Sequence, residues 1–548
     1  MSSGSVSGYK ATEKELAPQS SRSSATQPGF ALEVRDAPED SRYVSGKQLL
    51  LTFIGLFMAV LLVTLDQTIV ATALPRIVSD FNALGDITWI VTAYYLTQGG
   101  CMLIVGQILK LSRKKLVFLA SIAIFEVGSL ICALSKSIPV LIFGRAIAGC
   151  GAAGIQISVS TIMPDITPLE KRPILFSAFG GVIGLSTVAG PLLGGAFTDD
   201  VTWQWCFWIN LPCGACAVAL VLLFLPNHPP AVLFSRGLLQ TYLGLDWLGM
   251  ILNIGFFTCL LLPLQWGGNV KPWNSPSVIA LFVVSAVLFA AFIIWERYKG
   301  EHAMIPLNVV MRRTPLGAAI VSFFSYVLLM VATYYLPLWY QSHGSDATRS
   351  GLNILPLLGA VIIVVGGATT STGRYWWFLL LCPLLSSIGA GLLYTVTSTT
   401  PNAHIIGFQI IFGAGVGAIF QTVLIAVQAE YADNEEMIPQ ATSFVSFTQI
   451  LGGIVSIAIA GSIFANELRS NLPSDLPSEL REGILESVTA ISALTEPTKS
   501  AVLAAYSRSL DPVFVMGVPA GICASLAALL IVNYNLKTRA AAAVTQSA

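Results

Sequence analysis

Charged residues are scarce in this chain. Of its 548 residues, 11% are Asp, Glu, Lys or Arg, whereas 55% are hydrophobic. A soluble globular protein is about 25% charged. The acidic and basic residues, 29 of each, cancel, so the charge gives no indication of a nucleic-acid partner. This composition is typical of an integral membrane protein, with the lipid bilayer as its surroundings.

Several kinds of functional motif are also missing. No G-x-x-x-x-G-K-[ST] loop occurs, which argues against an ATP-driven pump. No cysteine–histidine spacing suits a metal, and no enzyme constellation stands out among the four scattered histidines. We therefore expect neither catalysis nor a metal or cofactor. A cleavable signal peptide is absent too, so the first membrane span is expected to act as the targeting signal.

Long apolar runs are what the sequence has in abundance. A helix needs about 20 apolar residues to cross a bilayer. Fourteen runs fit that length, near 48–72, 87–109, 116–135, 138–161, 174–197, 204–225, 244–264, 277–295, 316–340, 351–371, 376–396, 404–428, 441–465 and 512–535. The predicted fold class is an all-α polytopic membrane protein.

Basic residues in the loops predict the orientation, because cytoplasmic loops are enriched in Lys and Arg. With the N-terminus in the cytosol, the inner loops and tail hold Lys110, Arg113, Lys114, Lys115, Lys171, Arg172, Arg236, Arg297, Lys299, Arg312, Arg313, Arg374, Lys537 and Arg539. The short outer loops hold only Arg76, Lys136, Lys271 and Arg349. Both termini are therefore predicted to be cytoplasmic.

Three ionisable residues lie well inside the predicted spans: Asp66, Glu126 and Arg145. At 1.5 Å of rise per residue, Asp66 and Arg145 reach similar depths, and Glu126 lies near the middle of the third span. A buried ion pair that merely locks two helices is one interpretation. The other is a proton relay, because a carboxyl whose contact with arginine or water changes between conformations takes up and releases protons.

Glycine patterns indicate an internal repeat. The fourth span contains 145-RAIAGCGAAGIQ-156 and the twelfth 409-QIIFGAGVGAIFQ-421. Aligning Gly149 and Gly151 with Gly413 and Gly415 places Arg145 on Gln409. Parallel repeats of this kind occur in secondary transporters, although glycine enrichment is also ordinary in membrane helices.

The repeat divides the chain into two six-helix bundles separated by two inserted helices. The predicted parts are a disordered cytoplasmic tail at 1–47, the first bundle at 48–225, a cytoplasmic loop at 226–243, the inserted helices at 244–295, a cytoplasmic loop at 296–315, the second bundle at 316–535, and a cytoplasmic tail at 536–548. The outer loop 466–511 is either a lid or an inert cap. The inert cap is favoured, because long surface loops vary freely.

The fifth span combines small residues with a proline. Gly190 and Gly194 form a small-xxx-small pair that permits close helix contact, and Pro191 removes a backbone donor and bends a helix. Together with Gly184 and Gly195 they form 184-GLSTVAGPLLGG-195. Either static packing or a helix that rocks against its neighbours explains this composition.

Four segments resemble the major facilitator superfamily, in particular the fourteen-span drug:proton antiporters of fungi. They are 65-LDQTIVATALPRI-77, Arg145 through Gly154, 184-GLSTVAGPLLGG-195 and 203-WQWCFWINLPCG-214. The resemblance implies that the two bundles form a major facilitator fold with two inserted central helices. It also implies export of hydrophobic or amphipathic small molecules, such as fungal secondary metabolites, toxins or drugs, in exchange for protons.

The resemblance gives the singled-out residues their expected roles. Asp66, Arg145 and Glu126 are expected to couple transport to the proton gradient, and Gly149, Gly151, Gly184, Gly190, Pro191, Gly194 and Gly195 to serve conformational change. Candidates for a polar substrate cavity are Gln98, Gln156, Asn253, Gln409 and Gln421, although each also suits an interhelical hydrogen bond. We expect a monomer in the plasma membrane, with the vacuolar membrane as the second possibility.

One position departs from the superfamily pattern. The loop after the second span reads 106-GQILKLSRKK-115, with Lys110 where an Asp is expected. Any latch between the halves must then use other contacts. Two alternative functions remain: uptake or vacuolar storage of a specific solute such as an amino acid or siderophore, and a membrane sensor that does not transport.

Overall fold

The computed structural model describes residues 46–536, except 82–86, 169–170, 228–243, 268–270, 344, 346, 373, 398, 421, 475, 487–490 and 492–493. Helices are the regular elements of this part of the chain, which otherwise shows two isolated backbone bridges. Lipid offers backbone groups no hydrogen-bond partner, so a membrane chain satisfies them within helices. The apolar runs therefore become helices whatever their individual propensities.

The first half contains seven helices in the described residues. Their bounds are α1 Gly46–Phe81, α2 Ile87–Leu111, α3 Lys114–Ala133, α4 Ile138–Ile166, α5 Arg172–Ala196, α6 Trp205–Trp208 and α7 Asn210–Phe224. A π-helical turn, Phe197–Val201, follows α5. Together α6 and α7 make one membrane-length unit, Trp205–Phe224.

Two helices form the insertion, α8 at Trp247–Trp266 and α9 at Pro276–Lys299. Asp246 caps α8 by accepting a hydrogen bond from the Gly249 amide at 3.0 Å, which satisfies a backbone donor that the helix start leaves free. The two helices pack against each other, and α8 also packs on α2. The insertion therefore sits on the first half.

The second half contains α10 to α20. Their bounds are α10 Leu307–Val310, α11 Arg313–Ser342, α12 Ala347–Asn353, α13 Leu355–Thr372, α14 Trp376–Tyr394, α15 Asn402–Phe420, α16 Thr422–Glu430, α17 Ile438–Asn471, α18 Ser478–Glu486, α19 Thr498–Val515 and α20 Gly517–Ala528. Helices α15 and α16 together form the membrane-length unit Asn402–Glu430, and α19 and α20 form Thr498–Ala528.

The two halves pack in the same way. In the first, α1 packs on α5 and α7, and α4 packs on α2 and α3. In the second, α11 packs on α17 and α20, and α15 packs on α13 and α14. The halves meet where α2 contacts α17 and where α5 contacts α13, so the contacts between them are also related by the repeat.

Equivalent glycines make equivalent contacts. A methyl group added at Gly149 would meet backbone of α2, and one at Gly151 would meet backbone of α3. At the aligned positions, Gly413 meets backbone of α13 and Gly415 meets α14. These positions need glycine because the partner backbone occupies the space of a Cβ, and the contacts support the repeat alignment.

The number of spans stays a prediction. In the described residues, twelve helices are long and apolar enough to cross a membrane. The predicted span 174–197 corresponds to α5, Arg172–Ala196, which contains the apolar stretch Ile174–Ser186. The predicted span 351–371 falls on α12 and α13.

Two predicted boundaries need correction. The last span was placed at 512–535, but α19 begins at Thr498 and α20 ends at Ala528. The start of α19 contains polar residues such as Lys499, Arg508 and Asp511, so hydropathy alone does not predict it. The predicted outer loop 466–511 therefore includes the end of α17, α18 and most of α19. Most of the predicted tail 1–47, loop 226–243 and tail 536–548 lies outside the described residues, which omit 1–45, 228–243 and 537–548.

Candidate functional site

The membrane arginine and the first-span aspartate form an ion pair. Arg145 Nη1 of α4 lies 2.6 Å from Asp66 Oδ2 of α1, and both side chains are buried. Arg145 Nε also donates to the Ile90 carbonyl at 3.2 Å, and its guanidinium lies 4.3 Å from the centroid of the Tyr94 ring. The pair is thus neutralised, hydrogen-bonded and covered by an aromatic face.

Asn210 joins this pair to a third helix. Its Nδ2 donates to Ser129 Oγ at 3.1 Å and lies 3.5 Å from Asp66 Oδ1. Asn210 begins α7 within the aromatic segment 203–214. The sequence analysis singled out this segment for its tryptophans and did not predict a role for the Asn210 amide.

Glu126 does not join the Asp66–Arg145 pair. Its carboxyl lies against Gly214 of α7, in space that a Cβ would otherwise fill. Neither of its oxygens has a hydrogen-bond partner in the described residues. Glu126 is therefore a separate carboxyl at the α3–α7 contact, where the absence of a side chain at Gly214 leaves room for it.

A cavity of about 400 Å³ lies between the two halves. Side chains of α1, α2, α4 and α5 form one wall, and side chains of α11, α13, α15 and α17 form the other. Among the described residues that line it, none is charged or a histidine. The lining is apolar and aromatic, with a few polar groups: Thr64, Gln67, Thr68, Thr72, Tyr95, Gln156, Tyr326, Thr333, Tyr334 and Gln341. This is the usual composition of a site for small hydrophobic ligands.

Three hydrogen-bonded glutamines join α1, α2 and α4 at the cavity wall. Gln67 Nε2 donates to Gln98 Oε1 at 3.2 Å, and Gln98 Nε2 donates to Gln156 Oε1 at 3.1 Å. Gln67 and Gln156 line the cavity, whereas Gln98 is buried behind them. Gln67 directly follows Asp66 in α1, so one helix turn carries both the ion pair and the cavity wall. Sequence analysis named Gln98 and Gln156 but missed Gln67.

Asn253 and Gln409, two of the three remaining polar candidates, lie away from the cavity lining. Asn253 of α8 donates to the Gly100 carbonyl of α2 at 3.0 Å. Gln409 of α15 donates to the Tyr340 hydroxyl at 3.0 Å. Each therefore makes an interhelical hydrogen bond, which the sequence analysis gave as the alternative to a substrate contact. Gln421 lies outside the described residues.

The glycines of α5 differ in their surroundings. Added methyl groups at Gly190 and Gly194 would meet Thr68, Ile69 and Thr72 of α1, whereas one at Gly195 would meet nothing within 4 Å. Gly184 lines the cavity, and Pro191 lies inside α5. The α1–α5 contact, which borders the cavity, is therefore as close as glycine allows.

The end of the molecule that holds the α2–α3 turn is closed by contacts between the halves. An added methyl at Gly106 of α2 would meet Ser443 of α17, and Gln428 Nε2 of α16 donates to the Ser160 carbonyl of α4 at 3.3 Å. Lys110 Nζ, at the position expected to be acidic, lies 3.5 Å from Gln440 Oε1 of α17. The basic side chain thus makes a contact between the halves.

Tyr431 adds to this closure from the turn after α16. Its hydroxyl donates to the Val309 carbonyl at 2.9 Å, and Arg312 lies 5.7 Å from its ring centroid. Burial raises the pKa of Tyr431 to about 12, with Arg312 acting in the opposite direction. The hydroxyl therefore stays a neutral donor at physiological pH.

Comparison with known proteins identifies the family. The sequence profile of the Major Facilitator Superfamily matches residues 56–457. The MFS-type transporter astH of Aspergillus oryzae is 37% identical over 94% of this chain and 92% of its own length. The efflux pump aflT of Aspergillus parasiticus is 38% identical, covering 90% and 97% of the two chains. The rubrofusarin-specific efflux pump aurT of Gibberella zeae is 36% identical, covering 91% and 92%.

Solved structures agree on the fold. The proton:xylose symporter XylE aligns with a TM-score of 0.53 at 14% identity, over 86% of this chain and 94% of its own. The human organic anion transporter MFSD10 aligns with a TM-score of 0.52 at 12% identity, over 88% of this chain and 100% of its own. At such identities the likeness extends to the fold alone. The profile match and the curated relatives show that the chain belongs to the major facilitator superfamily, among the efflux pumps of fungi.

Proposed function

We propose that this transporter exports hydrophobic or amphipathic small molecules in exchange for protons, and that its substrates carry no net charge in the binding cavity. The cavity lining supports this, because its described residues offer aromatic rings, hydroxyls and amides but no charged side chain. A charged ligand would enter it without a counter-ion, at the cost of its hydration. A neutral ligand with a few hydrogen-bonding groups suits the lining better.

The proposed proton carrier is Asp66, with Arg145 as its partner. The observation that carries this proposal is the buried 2.6 Å ion pair, which lies one residue from Gln67 of the cavity wall. Uptake of a proton by Asp66 removes the charge that holds Arg145 and weakens the contact between α1 and α4. Because α1 also carries Gln67, a shift of this helix changes the cavity. Proton binding and substrate binding then favour different states, as coupling requires.

Glu126 is the second carrier candidate. Its unpartnered carboxyl is suited to hold a proton, but it lies against α7 and away from the cavity lining. We therefore propose that Glu126 supports the first-half bundle near Asp66 and is not the main coupling residue. The conservative variant Glu126→Gln separates the two roles, since an amide fills the same space without titrating.

Alternating access is the proposed transport mechanism. The two halves have related packing and meet at two related contacts, α2 with α17 and α5 with α13. Rocking about these contacts opens one end while it closes the other. The glycines of α5 and α4 allow helices to move past one another at van der Waals distance. The proposed energy source is the proton gradient, with no other cofactor.

The proposed orientation rests on the loop charges. With both termini in the cytosol, the closed α2–α3 end faces inward, and the cavity residues Thr72 and Gln341 lie toward the outside. The structure then corresponds to an outward-facing state. The relatives named efflux pumps make the plasma membrane the proposed location, with a monomer as the working unit. Because one relative is named a rubrofusarin-specific efflux pump, a single metabolite is included among the proposed substrates.

The test is export of Nile red, an uncharged hydrophobic dye, from yeast cells without their own multidrug pumps. The wild type, Asp66→Asn, Arg145→Ala and Glu126→Gln are compared at matched surface expression, with and without a protonophore. We expect protonophore-sensitive export that both Asp66→Asn and Arg145→Ala abolish and Glu126→Gln retains. Export unaffected by Asp66→Asn would overturn the proposed carrier, and export unaffected by the protonophore would overturn proton coupling.

A further inference from the structure

Two buried carboxyl groups meet where the inserted helices approach the α2–α3 end. Asp246, the cap of α8, and Glu296, near the end of α9, are each 1% exposed. A methyl group added at Gly249 would lie 2.7 Å from Asp246 Oδ2 and 2.9 Å from Glu296 Oε1. These two oxygens therefore face the same point on α8. Neither oxygen has a hydrogen-bond partner among the described residues.

The other oxygen of each group is well bonded. Asp246 Oδ1 accepts from Trp295 Nε1 at 2.7 Å and from the Gly249 amide at 3.0 Å. Glu296 Oε2 accepts from the Ile305 amide at 2.7 Å. Such bonds fix each carboxyl plane, so neither group can turn its idle oxygen toward a donor. Two ionised carboxylates would then present only acceptors to each other, whereas a single proton between them forms a hydrogen bond.

The basic side chains on the surrounding elements are directed elsewhere. Lys110 of α2 lies against Gln440 and Met437, and Lys299 of α9 lies with its Nζ 5.4 Å from the centroid of the Trp295 ring. His302 contributes its backbone carbonyl to Gln107. In the described part of the chain, neither carboxyl group forms an ion pair. Like charges held this close and shielded from water do not both ionise near neutral pH.

From this geometry we propose that Asp246 and Glu296 form a proton-binding site separate from Asp66, in which one proton is shared between Asp246 Oδ2 and Glu296 Oε1. The group that carries the proton at rest is Glu296, because two donors already stabilise the negative charge of Asp246. The bound species is the proton alone, and no metal is needed.

The pair occupies a junction between the halves. Gln107 of α2 accepts from the Asp246 amide at 3.2 Å and donates to the His302 carbonyl at 3.0 Å. Glu296 holds the Ile305 amide, two residues from the segment where Gln440 of α17 donates to the Ala303 carbonyl at 3.3 Å. The shared proton thus holds together the insertion, the first half and the segment that leads into α11. Its loss would leave two repelling charges and favour separation at this end.

The first experiment asks whether the proton is present. Infrared difference spectra of the purified, full-length protein in lipid nanodiscs are recorded during a pH titration. We expect a carbonyl band of a protonated carboxylic acid at neutral pH, where an isolated glutamate with a pKa of about 4.3 is ionised. Glu126 also has an unpartnered carboxyl, so the comparison is made in the Glu126→Gln background, where the band should persist with Asp66→Asn and disappear with Glu296→Gln. If Glu296→Gln fails to fold, Asp246→Asn retains a capping side chain, and its amide donates to Glu296, so the band should disappear there too.

A band that remains at full intensity in whichever of these two variants folds would overturn the shared proton. The outcome is independent of transport, so it differs from a failure of the proposed antiport, which would appear in the export assay and leave the infrared band unchanged.

The second experiment tests the connection to the closed end, and this part rests on the proposed alternating access. Spin labels are placed at the exposed positions Arg113 and Asn434, on a cysteine-free background, and their distance distribution is measured against pH. The wild type should gain a longer-distance population as pH rises through the loss of the shared proton. Glu296→Gln, which imitates the protonated group, should lose this pH dependence, whereas Asp66→Asn should retain it. The same pH dependence in Glu296→Gln as in the wild type would overturn the connection.

Discussion

Arg145 Nη1 and Asp66 Oδ2 lie 2.6 Å apart between α4 and α1, and the two side chains are only 2% and 0% exposed. Because each charge is buried, neither residue can lose its partner without a cost in free energy. The pair is therefore a point where a change in protonation acts on the packing of two helices.

Removing one member of this pair should cost more than removing both. Arg145→Ala leaves Asp66 buried without a counter-ion, and breaking a buried pair in this way costs about 3–5 kcal/mol. Combining it with Asp66→Asn should recover part of the lost stability while export stays absent. Unfolding of the four proteins in detergent, analysed as a double-mutant cycle, measures this coupling. Additive losses of stability would contradict a direct interaction.

The glutamine chain should affect substrate affinity. Gln98→Ala removes the link between Gln67 and Gln156, so both cavity amides lose their fixed orientation. One neutral hydrogen bond contributes about 0.5–1.5 kcal/mol, so we expect the KM for export to rise roughly 3- to 10-fold. The measurement is the concentration dependence of Nile red export.

Asn253→Ala is the matched control for that variant, because Asn253 makes an interhelical hydrogen bond away from the cavity lining. Its KM should stay at the wild-type value. If Asn253→Ala raised the KM as much as Gln98→Ala did, the effect would lie in general helix packing and not in the cavity wall.

The glycines of α5 provide a test with an internal control. Gly194→Ala places a methyl group against Ile69 and Thr72 of α1, whereas Gly195→Ala places one in open space. Overpacking of this kind costs about 1–3 kcal/mol, so Gly194→Ala should lower both the thermal unfolding midpoint and the export rate. Gly195→Ala should change neither. Equal effects of the two variants would mean that the close α1–α5 contact has no functional role.

The sequence predicts the ion pair better than it predicts the cavity. Asp66 and Arg145 could be matched because charges are rare in lipid and helix rise fixes their depth. Glu126 has the same rarity, but depth does not show which way a side chain points, and only the space left by Gly214 explains its position. Gln67 could not be predicted as a cavity residue, because an amide in a membrane helix has many ordinary roles. Only the packing of α1, α2 and α4 brings it to Gln98.

The predicted helix bounds are wrong where a long helix begins with polar residues. The start of α19 at Thr498 carries lysine and serine, so apolarity alone places the last span too late. The contact of Lys110 with Gln440 could not be predicted either, because it joins residues of different halves. Its prediction needs the register of α2 against α17, which no local pattern contains.

The last prediction concerns that contact between the halves. Lys110→Ala removes the ammonium group that lies against Gln440 and Met437 of α17, so the closed α2–α3 end should become less stable. Spin labels at Arg113 and Asn434 should then report a larger population at long distance at constant pH. Lys115→Ala is the matched control, because Lys115 Nζ binds the Leu222 and Leu225 carbonyls at 3.0 and 2.6 Å within the first half. Lys115→Ala should leave the distances unchanged.

A hydrogen bond to a charged group contributes about 1.5–3 kcal/mol. We therefore expect the open population in Lys110→Ala to rise by roughly one to two orders of magnitude. An unchanged distribution in Lys110→Ala would show that the neighbouring apolar contacts, such as Gly106 against Ser443, close this end without the lysine.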